Sequence, residues 1–599
     1  RQMCIRDRFT AARTRFNFTG NIGGSGPLTL QSSGSAGNVA NAGLVLAGTN
    51  TAYTGAATIV SSLASPAYAT DRPTVTWFRT PSSLLSGASS VSLRDGGVLG
   101  VRFNATDSHL TNVSAGPRGG IAAEAQTGGV GSLASLSAPM HFVGPGGHLI
   151  LSYFLATGDL YGNSTPMPLN NTAVYLIGRN AANTAVVEDV GSLSLHGGNH
   201  LFLNRRNATN SGIVLRATDL EAPSPGSTLL LEVTGGLGTS ASTSSLAVTG
   251  SRPPNQNNMT TPAIQAYTGG TAIGDFVRWD AATSRLINAV YSSTNLNTAG
   301  PTAVVNRTSA QTLTSNRSIH ALRMTAAVNL GGYTLTLSSG GLIMGGTTLS
   351  NGTLNFGSVH GIIGAYNSSA QATISANVSG TAGLTVMGTS QTLSITGANS
   401  LTGGLWINGG AVRLSTSGAN QNDVTVNAFG RLVTGVNTTD QIGGLRGSGA
   451  VSGWIASTGT SSSTLEIRPA SGAHVFDGAI LDGNGTHILN LVKAGAGTQV
   501  FGPNSSGSYS GTTAVTGGTL LVHGDFSAAQ GAVSVAGGAV LGGRGIIGGP
   551  TATLAATAVL APGDAPGTTG LLTFNQSLDL TQGAVLSVSY THLRAHETP

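Results

Sequence analysis

Charge is scarce in this chain. Asp, Glu, Lys and Arg make up 8% of its 599 residues, against about a quarter in an ordinary globular chain. Lys493 is the only lysine, and the arginines are scattered. Without a clustered basic face there is no electrostatic footprint for nucleic acid. Cysteine is almost absent too: Cys4 is the only one, so no disulfide framework is available. Cys4 lies in the aberrant first eight residues, and a remainder free of cysteine suits export in an unfolded state, where a premature disulfide would be a hazard. Aromatics are only 5%, a poverty that disorder could explain, but 40% apolar residues and a charge density near zero argue against it. No apolar run reaches the length of a membrane-spanning helix. The polar surface must therefore be built from Ser, Thr and Asn.

Glycine is abundant, with 89 residues. The stretch Leu491 to Gly549 alternates short apolar runs (Leu520, Leu521, Val522; Val533, Val535; Val540, Leu541) with Gly, Ser, Thr and Asn. The apolar positions fall at period two, which predicts brief strands between tight turns and leaves no room for a helix. The segment from Gly388 to Ser415 repeats this phrase. Asn399, Gly403, Gly409 and Gly410 there answer to Asn504, Gly511, Gly517 and Gly518, and a looser copy runs from Gly43 to Val60. A second phrase recurs at Val91–Leu99, Leu193–Leu201, Leu335–Ile343, Val424–Leu432 and Val533–Leu541, with a central glycine turn between apolar ends. Internal repetition of this kind predicts a solenoid, in which each unit buries its apolar face only against its neighbours.

The runs NSSGSYSGTTAVTGGTL (Asn504 to Leu520), VSVAGGAVLGGRG (Val533 to Gly545) and LAPGDAPG (Leu560 to Gly567) resemble the autotransporter-associated β-strand repeat of bacterial surface proteins. The wording is close to intact at Gly495 to Leu520 and partial at Gly388 to Val412. The resemblance implies an all-β, passenger-type parallel β-helix, a right-handed β-solenoid with irregular loops, secreted or displayed at the cell surface or outer membrane of a Gram-negative-type bacterium. It implies no chemistry.

Both ends break the pattern. Arg1 to Arg8 and Ser589 to Pro599 are charged and free of glycine, resemble translated sequencing-adapter read-through, and are left out of the fold. Arg1, Arg6 and Arg8 against Asp7, and Arg594 against Glu597, leave +3 of the formal +5 for the rest. The expected organisation is residues 1–8 as artefact, 9–250 as N-terminal solenoid rungs, 251–315 as an irregular insertion or linker, 316–588 as a C-terminal solenoid with the clearest repeats, and 589–599 as artefact. Pro66, Pro73 and Pro81 mark a distorted rung, and SRPPNQNN (Ser251 to Asn258) the sharpest break. At roughly 20 to 25 residues per rung of three strands, the chain would make on the order of 25 rungs.

Candidate chemistry is thin. Gly543, Gly545 and Gly548 spell G-x-G-x-x-G, but Gly549 and Pro550 follow, so no helix start is available to receive a pyrophosphate; repeat turns account for the same glycines. His592 and His596 stand at metal-ligand spacing inside the suspected artefact. His196 and His200 flank a glycine turn with Glu188 and Asp189 as the nearest carboxylates, and a solvated turn outweighs a metal site there. Asp275, Arg278, Trp279 and Asp280 form the densest charged and aromatic patch. Two aspartates five apart on an extended chain face opposite ways, so a loop ion pair beside a surface tryptophan is the plainer reading. Triplets N-x-S/T, such as those at Asn104 and Asn437, are generated by chance in a chain rich in Asn, Ser and Thr.

The expectation is a non-catalytic surface or secreted passenger, structural or adhesive, with no assigned catalytic, cofactor-binding or metal residue and no cofactor. Glycans or other cell-surface components are its expected partners, and an outer-membrane barrel translocator a further one. The competing class is a β-helix polysaccharide lyase or hydrolase, which three or more carboxylates on one face of adjacent rungs would favour.

Overall fold

The computed structural model describes residues 15–33, 43–62 and short stretches between 75 and 153, then 160–587 except 179–180, 184, 206–208, 210, 270–271, 367–369, 390–391, 415–421, 453–460, 484–486, 566–567 and 576. The two aberrant ends, the three loop prolines, Cys4, His592 and His596 lie outside the described residues. Among those described there is no helix, and about 52% of the chain is strand. The strands stack as parallel coils, so the fold is a β-solenoid. It forms two compact units, one comprising Arg1–Ala372, Leu384–Gln391 and Asn408–Gly410, the other Thr373–Gly383, Thr392–Ile407 and Ala411–Pro599.

In the first unit, His148–Ser152, Ala173–Ile177, Gly198–Asn204, Thr228–Val233 and Ile264–Tyr267 lie side by side and parallel. Their register stacks Leu149, Val174, Leu201, Leu231 and Ala266 in one column, all of it buried in the coil interior. Each large aliphatic side chain in such a column contributes roughly 2 kcal/mol by leaving water. The parallel order then ends. Asp275–Trp279 pairs antiparallel with Ile264–Tyr267 and with Leu286–Asn288, and Val277, Trp279 and Leu286 cover the end of this interior.

Parallel coils resume at Val304–Arg307, Arg317–Met324, Thr334–Met344 and Gly361–Ala365. Here the outward side chains are also apolar. Ala321, Ile343, Ile362, Tyr366 and Met387 pack on Leu230, Tyr267 and Phe276 in a second cluster. The outer faces of two coil stacks therefore meet inside this unit, sheet against sheet.

The second unit has three sheets, and one coil crosses all of them: Thr498–Phe501, Ser506–Ser508 and Thr513–Val515, before Thr519–Val522 returns to the first. Burial alternates along His487–Lys493 and Val533–Val535, as period-two strands require. Leu465, Leu491, Thr513, Val533 and Ala552 stack inward in register, while Ser534 and Thr553 stack outward. Gly518 makes the corner before Thr519: its φ is 62°, and a β-carbon there would sit 2.4 Å from the carbonyl oxygen of Gly495.

The coils number about 18, fewer than the roughly 25 that 20 to 25 residues per rung would give. Asn490 and Thr512, bonded across adjacent coils, are 22 residues apart, but Asn171 and Gly198 are 27 apart. Coil length varies within both units: Asn316 and Thr334 are 18 apart, and Asp482 and Ser510 are 28 apart.

Candidate functional site

The densest charged patch resolves into two unrelated arrangements. Asp275 opens the strand Asp275–Trp279 and accepts a hydrogen bond from the Tyr291 hydroxyl. The Arg323 guanidinium lies 3.9 Å from the same carboxylate, donates to Gly274 O at 2.9 Å, and reaches Asn306 Oδ1 at 3.0 Å. Burial raises the Asp275 carboxyl above its ordinary value, against the opposing pull of Tyr291 and Arg323. The Tyr291 phenol is pushed up as well, by burial first and by Asp275 second. Asp280 sits instead on an exposed turn, where the Thr283 hydroxyl and amide donate to it at 2.7 and 2.8 Å. Those bonds hold its carboxyl below the usual range. The two aspartates thus have separate partners, because Asp275 opens the strand whereas Asp280 lies just past its end, in the turn to Arg285.

Trp279 is not the surface residue that the sequence suggested; it is 3% exposed. Its indole Nε1 donates to Pro253 O at 2.8 Å, and its backbone N–H and C=O are both held at 2.8 Å by the Asn255 side chain. The Arg252 guanidinium lies 5.2 Å from the ring centroid. The polar break from Ser251 is therefore a lid braced onto the coil end. Beside it lies an open hollow of about 410 Å³, lined by Ser251, Arg252, Asn255, Trp279 and Ala281 among others.

His196 and His200 do not converge. His196 ends an outward-facing strand position, whereas His200 is buried, stacks on Phe202 with ring centroids 3.7 Å apart, and lies 3.3 Å from Glu232. Glu188 turns into the coil interior and accepts from the Tyr153 hydroxyl and from the amides of Tyr161 and Leu160. Asp189, next in sequence, faces out and pairs with Arg216. Among the described residues no three His, Cys, Asp or Glu side chains are grouped to hold a metal ion. Gly543 and Gly545 are coil corners: a β-carbon would fall 2.0 Å from Val522 O and 2.2 Å from Gly524 O.

Three polar groups inside the coils escaped the sequence. Lys493 is 1% exposed, and its Nζ donates to the carbonyls of Ala494 (2.7 Å), Gly495 (3.0 Å) and Gly517 (2.8 Å). Burial lowers its ammonium to about 8. His487 bridges Ser461 at 2.7 Å and Ser463 at 2.8 Å, and Ser463 meets Thr434 at 2.6 Å. Gln499 ties Leu445 in both directions. Lys493 and Gln499 both occupy inward positions of strands with alternating burial, Lys493 level with Ile467 and Val515. That placement was the available signal.

The Lys493 clamp and the Gly518 corner fall in one segment. The passenger-associated-transport-repeat family matches residues 390–414 and 491–522, the two places where the repeat wording is best preserved. These two stretches and the stacked parallel coils fit an autotransporter passenger-type repeat protein. No curated protein and no solved structure matches it. A passenger of this type is a secreted or cell-surface protein of Gram-negative bacteria.

Proposed function

We propose that this passenger acts non-catalytically, as an adhesive or structural surface element that contacts glycans or other cell-surface components, and that an outer-membrane barrel translocator is its partner in export. The observation that carries the reading is the matched repeat lying on stacked coils whose outward column continues through the small, uncharged Ala514, Ser534 and Thr553, with charge only at its far positions Glu466 and Asp579. Such a face offers many equivalent weak contacts, and multivalency converts these into avidity. Fold alone does not specify the role.

The test is to immobilise the full chain and measure its retention on a panel of glycans and on cell surfaces, while assaying polysaccharides for new reducing ends. Retention without release of reducing ends is the expected result. Sugar release that is lost in Asp275→Asn would overturn the reading in favour of a polysaccharide-cleaving enzyme.

A further inference from the structure

The N-x-S/T triplets, expected above from chance, outnumber the chance expectation. Ser and Thr make up 138 of the 599 residues, so 39 asparagines should open about nine such triplets; 16 do. The structure separates these asparagines from the rest. Ten of the 16 have described side chains, and nine of those are exposed, against seven of 18 among the other described asparagines. Their amide nitrogens differ as well. At least eight of the 18 others, including Asn199, Asn255, Asn408 and Asn490, donate Nδ2 to a protein acceptor. Of the ten, only Asn351 does so, to Asn329 at 3.2 Å.

The local geometry shows why. At Asn316, Asn377 and Asn437 the side-chain oxygen accepts a backbone N–H from the adjacent coil: Thr334 at 2.9 Å, Ala398 at 3.2 Å and Ser462 at 3.4 Å. An N–H can bond only to Oδ1, so the orientation of each amide is fixed by its partner. Nδ2 is thereby left on the outer side of the corner with no protein acceptor. A group attached to that nitrogen leaves the coil and its hydrogen bonds as they are.

We infer that these corner asparagines are acceptor sites for N-linked glycosylation, with Asn163, Asn316, Asn377, Asn437 and Asn504 the clearest. The donor is a diphosphate-activated sugar, and a separate transferase supplies the catalysis. The amide nitrogen bonds to C1 of the sugar as the C1–O bond to the diphosphate breaks. The bonding electrons leave with the diphosphate, and the amide proton passes to a base on the transferase. Sugars at the corners would add hydration that a surface with few charges otherwise lacks.

The test is mass spectrometry of the full chain recovered from the surface of its own bacterium, digested with elastase and mapped peptide by peptide. Sugar mass increments are expected on these five asparagines and not on exposed asparagines outside triplets, such as Asn288 and Asn329. Thr439→Ala should remove the increment at Asn437, and Thr439→Ser should retain it. Asn504→Gln should remove only its own. Blocking assembly of lipid-linked sugars identifies the donor: loss of the increments marks a lipid diphosphate, and persistence marks a nucleotide sugar. Unmodified peptides at all five positions, or increments spread equally over asparagines outside triplets, would overturn the assignment.

Discussion

Replacing Lys493 by Met keeps the length of the side chain and removes the only lysine charge. The ammonium is buried in the interior column between Ile467 and Val515, and its value falls from 10.5 to about 8 because burial disfavours the charged form. The unfolded chain therefore holds this proton up to higher pH than the folded chain does. Stability must then rise with pH between about 8 and 10.5, because the unfolded state binds more protons over that window. A difference of this size corresponds to roughly 3 kcal/mol over the full window. Wild type and Lys493→Met are to be unfolded in urea at intervals from pH 7 to 10.5, followed by circular dichroism. Subtracting the variant removes the titration of the tyrosines and histidines. The stability of wild type relative to the variant should climb by up to about 3 kcal/mol across the window. A flat or falling difference would show that the three carbonyls of Ala494, Gly495 and Gly517 favour the charged form at least as strongly as burial opposes it, and would refute the reasoning.

Other consequences are as direct. Gly518→Ala places a β-carbon against Gly495 O at a φ of 62° and should cost roughly 1–3 kcal/mol in urea unfolding; an unchanged midpoint would contradict the corner geometry. His148 is held neutral, down to about 3, by burial first and then by Arg118 and His200. Its stabilisation is complete above its ordinary value of 6.5 and is lost as pH falls towards 3, so His148→Gln should flatten the acid limb of the stability profile. Asp275 has the opposite sign: its carboxyl is raised, so its contribution is present at low pH and lost as pH rises through the folded value. Asp275→Asn should remove that loss, as read from melting temperature against pH.

The legible parts of the fold were those where one face of each strand is apolar and the other is not. Around Leu491–Gly549 the alternation at Val533 and Val535, with glycine at the corners, was enough to place strands and turns, and the family match at residues 491–522 falls there. The first unit hid its geometry for a physical reason. Ala173–Ile177 is buried along its whole length, and Leu230, Tyr267, Ile343 and Ile362 are apolar on outward faces that pack together, so period two is erased. The lid at Pro253 and Asn255 was read as a bare polar break because its partner, Trp279, lies 26 and 24 residues further along. Buried polar groups such as Glu188 and Lys493 were invisible in composition. Their meaning comes from which carbonyls and hydroxyls the neighbouring coils bring to them.

Register between coils is the central claim, and disulfide trapping measures it most directly. In a chain whose Cys4 has been replaced, Ser534→Cys with Thr553→Cys puts two thiols on directly stacked outward positions, within the separation a disulfide can span. Ser534→Cys with Ala552→Cys shifts one of them by a single residue to the inward face. Mild oxidation should close the first pair within the monomer and leave the second open; equal closure of both, or of neither, would contradict stacked parallel coils.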